Sequence, residues 1–333
     1  MIARVVDHAV AIEEFASDVH YYLSLQPRQL PSRYLYDDLG SALFDAICRL
    51  PWYRITRAET RLLADHGHDI LARASALSTI VELGPGSGEK LATLVEAGRA
   101  GAARSPHLDL RLVDISRSAL ELASRTLDTL PDVSITTYQA RYETGLRQAS
   151  AETPGGRELV LFLGSNIGNF DRPGADAFLR SVRAGVARGD MLLLGADLVK
   201  GERELILAYD DPLGVTAAFN RNLLVRINRE LGGTFDLDAF SHRAVWAEAD
   251  SRVEMHLVSR ARQRVRVETA GIDFVIESGE TIWTESSYKF TRASVESMLS
   301  AARLRLIRWD TDGAFGLALA APARMTAARL RAA

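Results

Sequence analysis

Residues 81–90 read VELGPGSGEK. Gly84, Gly86 and Gly88 follow the apolar run LSTIVEL and precede LATLVEAGRA, whose apolar residues recur at helical spacing, so the stretch reads as strand, tight turn and helix. Glycine lacks a Cβ, which lets the chain bend sharply at such a turn and lets a ligand approach the backbone. The same alternation continues outward. LDLRLVDI (108–115) is a second strand and SRSALELASRTLDTL (116–130) a helix opened by a serine cap. VSITTYQA (133–140) and ELVLFLGS (158–165) are strands, PGADAFLRSVRAGVA (173–187) a helix and DMLLLGAD (190–197) a further strand. Strands alternating with helices of these lengths predict an α/β core with a mainly parallel sheet covered on both faces.

The flanks follow another pattern. Residues 1–60 are mainly helical, interrupted by QPRQLPSRY and LPWYR, and are too short for a comfortable core of their own. The segment 200–280 holds a helix, GVTAAFNRNLLVRINREL, then the alternating runs RAVWAEADSRVEMHLVSR and RQRVRVETAGIDFVI, which read as antiparallel strands. Strands near 281–291 and 303–320, with the helix TRASVESMLSAA between them, are expected to complete the core sheet. The expected division is a core of 61–199 with 286–333 and a second lobe of 1–60 with 200–285.

Composition narrows the class. A chain of 333 residues, 47% hydrophobic and 25% charged, is an ordinary soluble protein. No run of roughly 18 apolar residues suggests a membrane span, and MIARVVDHAVAIEEF carries acids where a signal peptide needs an apolar stretch, so a cytoplasmic location is expected. A net charge of −3 gives no electrostatic case for nucleic acid, and the basic tail RMTAARLRAA reads as a solvated terminus. The single cysteine, Cys48, excludes an intrachain disulfide and a cysteine-rich metal site, and its place in SALFDAICRL reads as packing. His242 and His256 are too isolated for a metal site and read as strand-surface residues, so no metal is expected. Oligomeric state leaves no trace in the sequence; a monomer is the default.

Three ligand classes use a glycine turn after a first strand. GPGSGEK lacks the spacing of a phosphate-cradling loop, and Gly-x-Gly-x-Gly departs from the dinucleotide fingerprint Gly-x-Gly-x-x-Gly. The third class is S-adenosylmethionine, since V-E-L-G-x-G-x-G resembles the first motif of class I methyltransferases. Asp114 ends the second strand, where a carboxylate can accept from both ribose hydroxyls of an adenosine-type ligand.

Four segments outside the loop are more particular: SRYLYDDLGSALFDAICRLPWYRITRAE, LFLGSNIGNF, AYDDPLGVTAAFNRN and TESSYKF. Together they closely resemble the histidine-specific Nα-methyltransferases of ergothioneine biosynthesis, from about Leu30 to Ala320. The resemblance implies a class I, Rossmann-like methyltransferase core that binds S-adenosylmethionine, and a substrate-binding lobe made of N-terminal helices and an α+β insertion. It implies that Gly84, Gly86 and Gly88 of the loop, Lys90 and Asp114 hold the cofactor. Asn169 and Tyr209 match residues that grip the substrate carboxylate, and Tyr36 and Gly164 match positions near the α-amine. Tyr53, Glu285 and Ser287 match residues around the imidazole. Two positions depart from the family pattern. Arg141 stands where an acid can meet the adenine amino group, and Arg54 stands where a second tyrosine often follows Tyr53.

The implied reaction is methylation of the α-amine of L-histidine, to the trimethylated betaine hercynine. Methyl transfer from a sulfonium to an amine needs alignment of an unprotonated nitrogen with the methyl carbon, and calls for neither a metal nor a covalent nucleophile. Two alternatives stay open: an Nα-methyltransferase of another amino acid such as tryptophan, and a non-catalytic adenosine-ligand-binding protein. WTESSYKF (283–290) bears on the choice. As an extended strand it would set Trp283, Glu285 and Ser287 on one face and Thr284, Ser286 and Tyr288 on the other. A carboxylate on a buried face needs a donor, from the protein or from a ligand.

Overall fold

The computed structural model describes residues 8–74, 76–100, 106–152 and 156–323. The basic tail lies outside them. The chain divides into two compact units, Met1–Thr56 with Val199–Lys289, and Arg57–Leu198 with Phe290–Ala333. In chain order the elements are α1 (His8–Ser24), β1 (Arg28–Gln29) and α2 (Asp38–Arg49) in the first unit. The second unit then supplies α3 (Ile55–Arg73), β2 (Leu77–Leu83), α4 (Glu89–Arg99), β3 (Leu108–Asp114), α5 (Arg117–Leu127) and β4 (Val133–Gln139). It continues with α6 (Tyr142–Ala151), β5 (Arg157–Phe162), α7 (Arg172–Gly185) and β6 (Met191–Asp197). The first unit resumes with α8 (Glu202–Tyr209), α9 (Val215–Leu231), β7 (Phe240–Ala247), β8 (Arg252–Ser259), β9 (Gln263–Val267), β10 (Ile272–Ile276) and β11 (Thr281–Tyr288). α10 (Arg292–Ala301), β12 (Leu304–Thr311) and β13 (Phe315–Pro322) close the second unit.

The second unit is a seven-stranded sheet in the order β12-β13-β6-β5-β2-β3-β4. β2 through β6 pair in parallel, whereas β13 runs antiparallel to both β6 and β12. Strands buried on both faces need unbroken apolar runs, and Ile80, Val81, Leu83, Leu159–Phe162 and Leu192–Leu194 are all fully buried. The helices lay apolar stripes on this sheet: Leu91, Leu94 and Val95 from α4, Leu120, Ala123 and Leu127 from α5, Phe178, Leu179 and Val182 from α7. Side-chain caps start them where the sequence has Ser116 and Asp171, and Thr291 with Ser294 forms a reciprocal capping box on α10. The chain leaves β2 toward β3 and β4 on one side, while β5 and β6 lie on the other. The strand order therefore reverses beside β2, and in such sheets ligands bind at the C-terminal strand ends of that switch point. The glycine turn lies there.

The first unit contains a four-stranded sheet, β1-β11-β8-β7, a two-stranded ribbon, β9-β10, and helices α1, α2, α8 and α9. β8 shows strict alternation, with Val253, Met255, Leu257 and Ser259 buried. The strand near 281–291 does not complete the core sheet; β11 pairs with β8 as far as Tyr288↔Arg252 and with β1 at Arg28↔Ile282. A boundary at 285/286 would cut this ladder in its middle, and the units instead change after Lys289.

Candidate functional site

In the second unit the turn after β2 holds Gly84, Gly86 and Gly88 at φ of 76°, 55° and 79°. Their roles differ. A Cβ on Gly88 would lie 3.0 Å from the backbone of Ala123, so this glycine lets α4 approach α5 and is a packing position, not an open one. A Cβ on Gly84 would meet Asn166 Nδ2 at 2.9 Å and Tyr142 Oη at 3.1 Å. Gly86 has nothing within 4 Å and is the member of the three open to a ligand.

Acids gather beneath this turn. Glu82, the second letter of VELG, is 1% exposed, its Oε2 has no hydrogen-bond partner, and burial pushes its carboxyl up to about 8. Lys90 pulls that value down, while Glu59 and Asp114 add to the rise. Asp114 accepts the Ser116 N–H through Oδ1 at 2.8 Å, and burial raises it to about 6 against the pull of the Ser116 and Ile115 amides. Lys90 Nζ lies 2.6 Å from Oε2 of Glu59, whose side chain is wholly buried and whose two oxygens also accept the Gly164 N–H at 3.0 and 2.8 Å. Gly164 and Ser165 are consecutive left-handed residues, φ 73° and 58°, and the Ser165 hydroxyl accepts the Asp197 N–H at 2.9 Å. This strained turn after β5 is tied to α3 and β6 at once. Asn169 is exposed at the end of the short 3₁₀ turn that follows, and Arg141 is exposed at the start of α6. Burial raises the phenol of Tyr142, beside Arg141.

An open glycine, an orphaned carboxylate, a second carboxylate at the tip of β3 and a lysine suit a ligand with a ribose diol and a zwitterionic, cationic tail. S-adenosylmethionine is such a ligand. Asp114→Ala is expected to weaken S-adenosylhomocysteine binding by about 10- to 100-fold, the value of hydrogen bonds to a charged group. Calorimetric titration checks this, and wild-type affinity in the variant would remove Asp114 from the site.

In the first unit, β11 is interrupted by a bulge. Trp283 stands opposite His256 and Glu285 opposite Met255, leaving Thr284 as the extra residue, and the Trp283 indole N–H donates to the Glu285 carbonyl at 2.8 Å. An inserted residue reverses the parity of faces. Trp283 is thereby separated from Glu285, which corrects the simple alternation. It stacks near His256 and, with Tyr288, under the Arg252 guanidinium at 4.7 and 5.5 Å. Glu285 and Ser287 turn together to the buried face, 8% and 4% exposed.

Beside them lies an aromatic cluster. Tyr36 packs edge-on against Phe44 and Phe219 with ring centroids 5.5 Å apart, Phe44 meets Tyr53 at 6.2 Å, and Tyr53 meets Tyr209 at 6.3 Å. The three tyrosines singled out in the sequence thus converge, together with two phenylalanines that were not. Arg54 is exposed, 3.8 Å from Glu204. Tyr209 donates its hydroxyl proton to Ser287 Oγ at 2.7 Å, and Lys289 Nζ donates to Tyr209 Oη at 2.7 Å and to Ser287 Oγ at 2.8 Å. The resemblance gives Tyr209 to the substrate carboxylate and Ser287 to the ring, yet a phenol has one proton, and here it serves Ser287. The Glu285 carboxylate has no hydrogen-bond donor among the described residues; burial raises it to about 7, and the Lys289 charge draws it back. The donor that a buried carboxylate in WTESSYKF needs comes from no described residue, and Lys289 supplies only charge nearby.

Both histidines are packed, not surface groups. His242 Nε2–H donates to the Tyr209 carbonyl at 2.7 Å, its Nδ1 accepts from Asn220 at 2.9 Å, and burial lowers its pKa. His256 lies against Trp283 and Glu254, and burial lowers its pKa as well. Alternating strand residues look exposed in sequence; the helix α8 and the Trp283 ring cover these two.

The strand order of the second unit, with a reversed strand placed next to last, and the glycine turn after β2 at the switch point define a class I methyltransferase fold. The chain belongs to the family of histidine-specific, S-adenosylmethionine-dependent methyltransferases, which it matches over residues 15–322. It is 44% identical over 308 residues to a histidine N-alpha-methyltransferase of Mycobacterium tuberculosis, covering 91% of this chain and 94% of that protein. To a protein of the same name from Mycolicibacterium smegmatis it is 41% identical over 315 residues, 93% and 95% of the two chains. Ergothioneine biosynthesis protein 1 of Neurospora crassa is 28% identical over 317 residues, 90% of this chain but 34% of the fungal one. No helix among the described residues is long and apolar enough to cross a membrane.

Proposed function

We propose that this protein methylates the α-amine of L-histidine, three times in succession, to give hercynine for ergothioneine biosynthesis. A cytoplasmic setting agrees with the single cysteine. The observation that carries the choice of substrate is the pair on β11. Glu285 is a buried acceptor without a donor among the described residues, and Ser287, two residues on, receives two hydrogen bonds and spends its own proton on none of them. A neutral imidazole presents one N–H and one bare nitrogen, which satisfy an acceptor and a donor together.

When bound, S-adenosylmethionine supplies a methyl group activated on a sulfonium. The residues of this chain bind and orient. Glu82, Asp114, Lys90 and the open backbone at Gly86 are assigned to the cofactor. Glu285 and Ser287 are assigned to the ring, with Tyr53 among the aromatic walls, and the bond of Tyr209 to Ser287 supports assigning Tyr209 to this end as well. Asn169, exposed and free of any described side-chain bond, keeps the carboxylate assignment. Tyr36 and Gly164 keep the roles that the resemblance gives them near the amine, where a hydroxyl and a carbonyl orient a nitrogen whose reference pKa near 8 leaves it partly neutral at neutral pH. Of Gly164, the N–H is held by the two oxygens of Glu59.

The test is kcat/KM for histidine, tryptophan and phenylalanine, with products followed by mass spectrometry. Histidine gaining up to three methyl groups, phenylalanine near background and tryptophan weak is the expected order. A preference for an amino acid without a ring nitrogen defeats the histidine reading, and tight S-adenosylhomocysteine binding with no turnover of any amino acid defeats the enzyme reading.

A further inference from the structure

We infer that Lys289 is a positioning residue that sets the hydrogen-bond polarity of Ser287, forcing its hydroxyl to act as a donor and so requiring a bare ring nitrogen in the substrate. The inference rests on the histidine-ring reading of Glu285 and Ser287. Its geometry is a closed triangle: Lys289 Nζ to Tyr209 Oη 2.7 Å, Lys289 Nζ to Ser287 Oγ 2.8 Å, Tyr209 Oη to Ser287 Oγ 2.7 Å.

An ammonium can only donate, and a serine oxygen has two lone pairs and one proton. Lys289 occupies one lone pair of Ser287 and the Tyr209 hydroxyl occupies the other. Both acceptor sites are thus filled by the protein, and what remains to the outside is the O–H. Lys289 itself is 4% exposed, sits 4.6 Å over the Tyr209 ring and is held where it can keep this arrangement. The side chains of Ser287 and Glu285, on the same buried face of β11, then present one donor and one acceptor in fixed order. Without Lys289, a lone pair of Ser287 is released and the serine accepts or donates as the ligand demands. The consequence is selectivity by polarity. An imidazole satisfies the pair, whereas a pyrrole or indole, whose ring nitrogen carries a proton and which has no bare nitrogen, leaves the Ser287 proton stranded.

The experiment measures kcat and KM of the full-length protein for histidine, β-(pyrrol-2-yl)alanine and β-(pyrrol-3-yl)alanine, which keep a ring N–H but lose the acceptor. Wild type is expected to favour histidine over both by roughly 100-fold, and Lys289→Met to narrow that ratio by roughly tenfold, through KM, as expected when a stranded buried polar group is relieved. Lys289→Arg, which retains donors, should restore most of the ratio. In a Ser287→Ala background, Lys289→Met should alter the ratio less than about twofold, because the lysine acts through the serine. S-adenosylhomocysteine affinity should stay near wild type in every variant, which reports that the chain is folded. If Ser287→Ala leaves the histidine preference untouched, the ring reading itself fails. If Ser287→Ala abolishes the preference while Lys289→Met keeps the wild-type ratio, the polarity assignment fails and the ring reading stands. Equal losses on all three substrates in Lys289→Met, with no change in their ratio, show a scaffold lysine and overturn the inference.

Discussion

Glu59→Ala is expected to cost about 3 kcal/mol or more of folding stability and to lower cofactor affinity in the same variant. The carboxylate is wholly buried between the Lys90 ammonium at 2.6 Å and the Gly164 N–H, so its removal takes one counter-charge from the cation and the acceptor from the backbone donor. Lys90 keeps about a fifth of its side-chain surface in contact with solvent, which places the estimate at the lower end for a broken buried pair. Glu59→Gln should lie between wild type and alanine, because an amide oxygen can still accept from Gly164 while its NH₂ meets the ammonium badly. Urea denaturation gives the stabilities, and calorimetry with S-adenosylhomocysteine gives the affinity. Gly195 supplies an internal control: a Cβ there would sit 2.0 Å from Glu59 Oε1, so Gly195→Ala should be severe in wild type and milder once Glu59 is truncated. Additive effects of the two changes, or wild-type stability in Glu59→Ala, would show that the carboxylate does not organise this turn.

Glu285→Ala is expected to reduce kcat/KM for histidine by about 2 kcal/mol, roughly 30-fold, and to raise the relative rate with larger aromatic amino acids. The loss follows from deleting a charged acceptor for the ring N–H, and the relaxed selectivity from deleting the group that wrong substrates leave unsatisfied. Glu285 also makes a prediction about the ligand-free protein. Its folded-state pKa, about 7, is above the ordinary value of 4.5, so the folded state holds the proton more tightly than the unfolded state does. Stability attributable to this group is therefore unaffected below about pH 4.5 and falls as pH rises through 7. Glu285→Gln removes the titration. It should raise the Tm of the ligand-free protein at pH 8 and leave it nearly unchanged at pH 4.5, and a uniform effect across that range would show that the wild-type carboxyl is not strained by burial.

The candidate site was legible unevenly, and the unevenness has physical causes. The glycine turn could be read because bending a chain at φ near 55–79° is a local demand that glycine meets most easily. Asp114 could be read because a strand end in a parallel sheet is a defined place. Glu59 could not: in RITRAET it resembles any acid on an exposed helix, and only the closure of α3 over the β5 turn makes it a buried partner of two donors. Phe44 and Phe219 carry no mark in the sequence that sets them apart from packing residues; Phe219 is buried and Phe44 half-buried, and both lie in the cluster that carries Tyr36, Tyr53 and Tyr209. Lys289, two residues beyond Ser287, reads as a solvated cation until its burial is known.

By itself the sequence determined the repeating strand and helix units, the two-part organisation, the cofactor turn and the segments that mark the family, because periodicity, turn chemistry and motif are properties of neighbouring residues. Tertiary structure decided which sheet β11 joins and which way its side chains face. Pairing with β8 is a long-range choice, and the single extra residue at Thr284 reverses facing without leaving any mark on a pattern of period two. It also decided that Glu285 lacks a donor among the described residues while Ser287 has two, since hydrogen-bond satisfaction depends on what packs against a side chain and not on what precedes it in the chain.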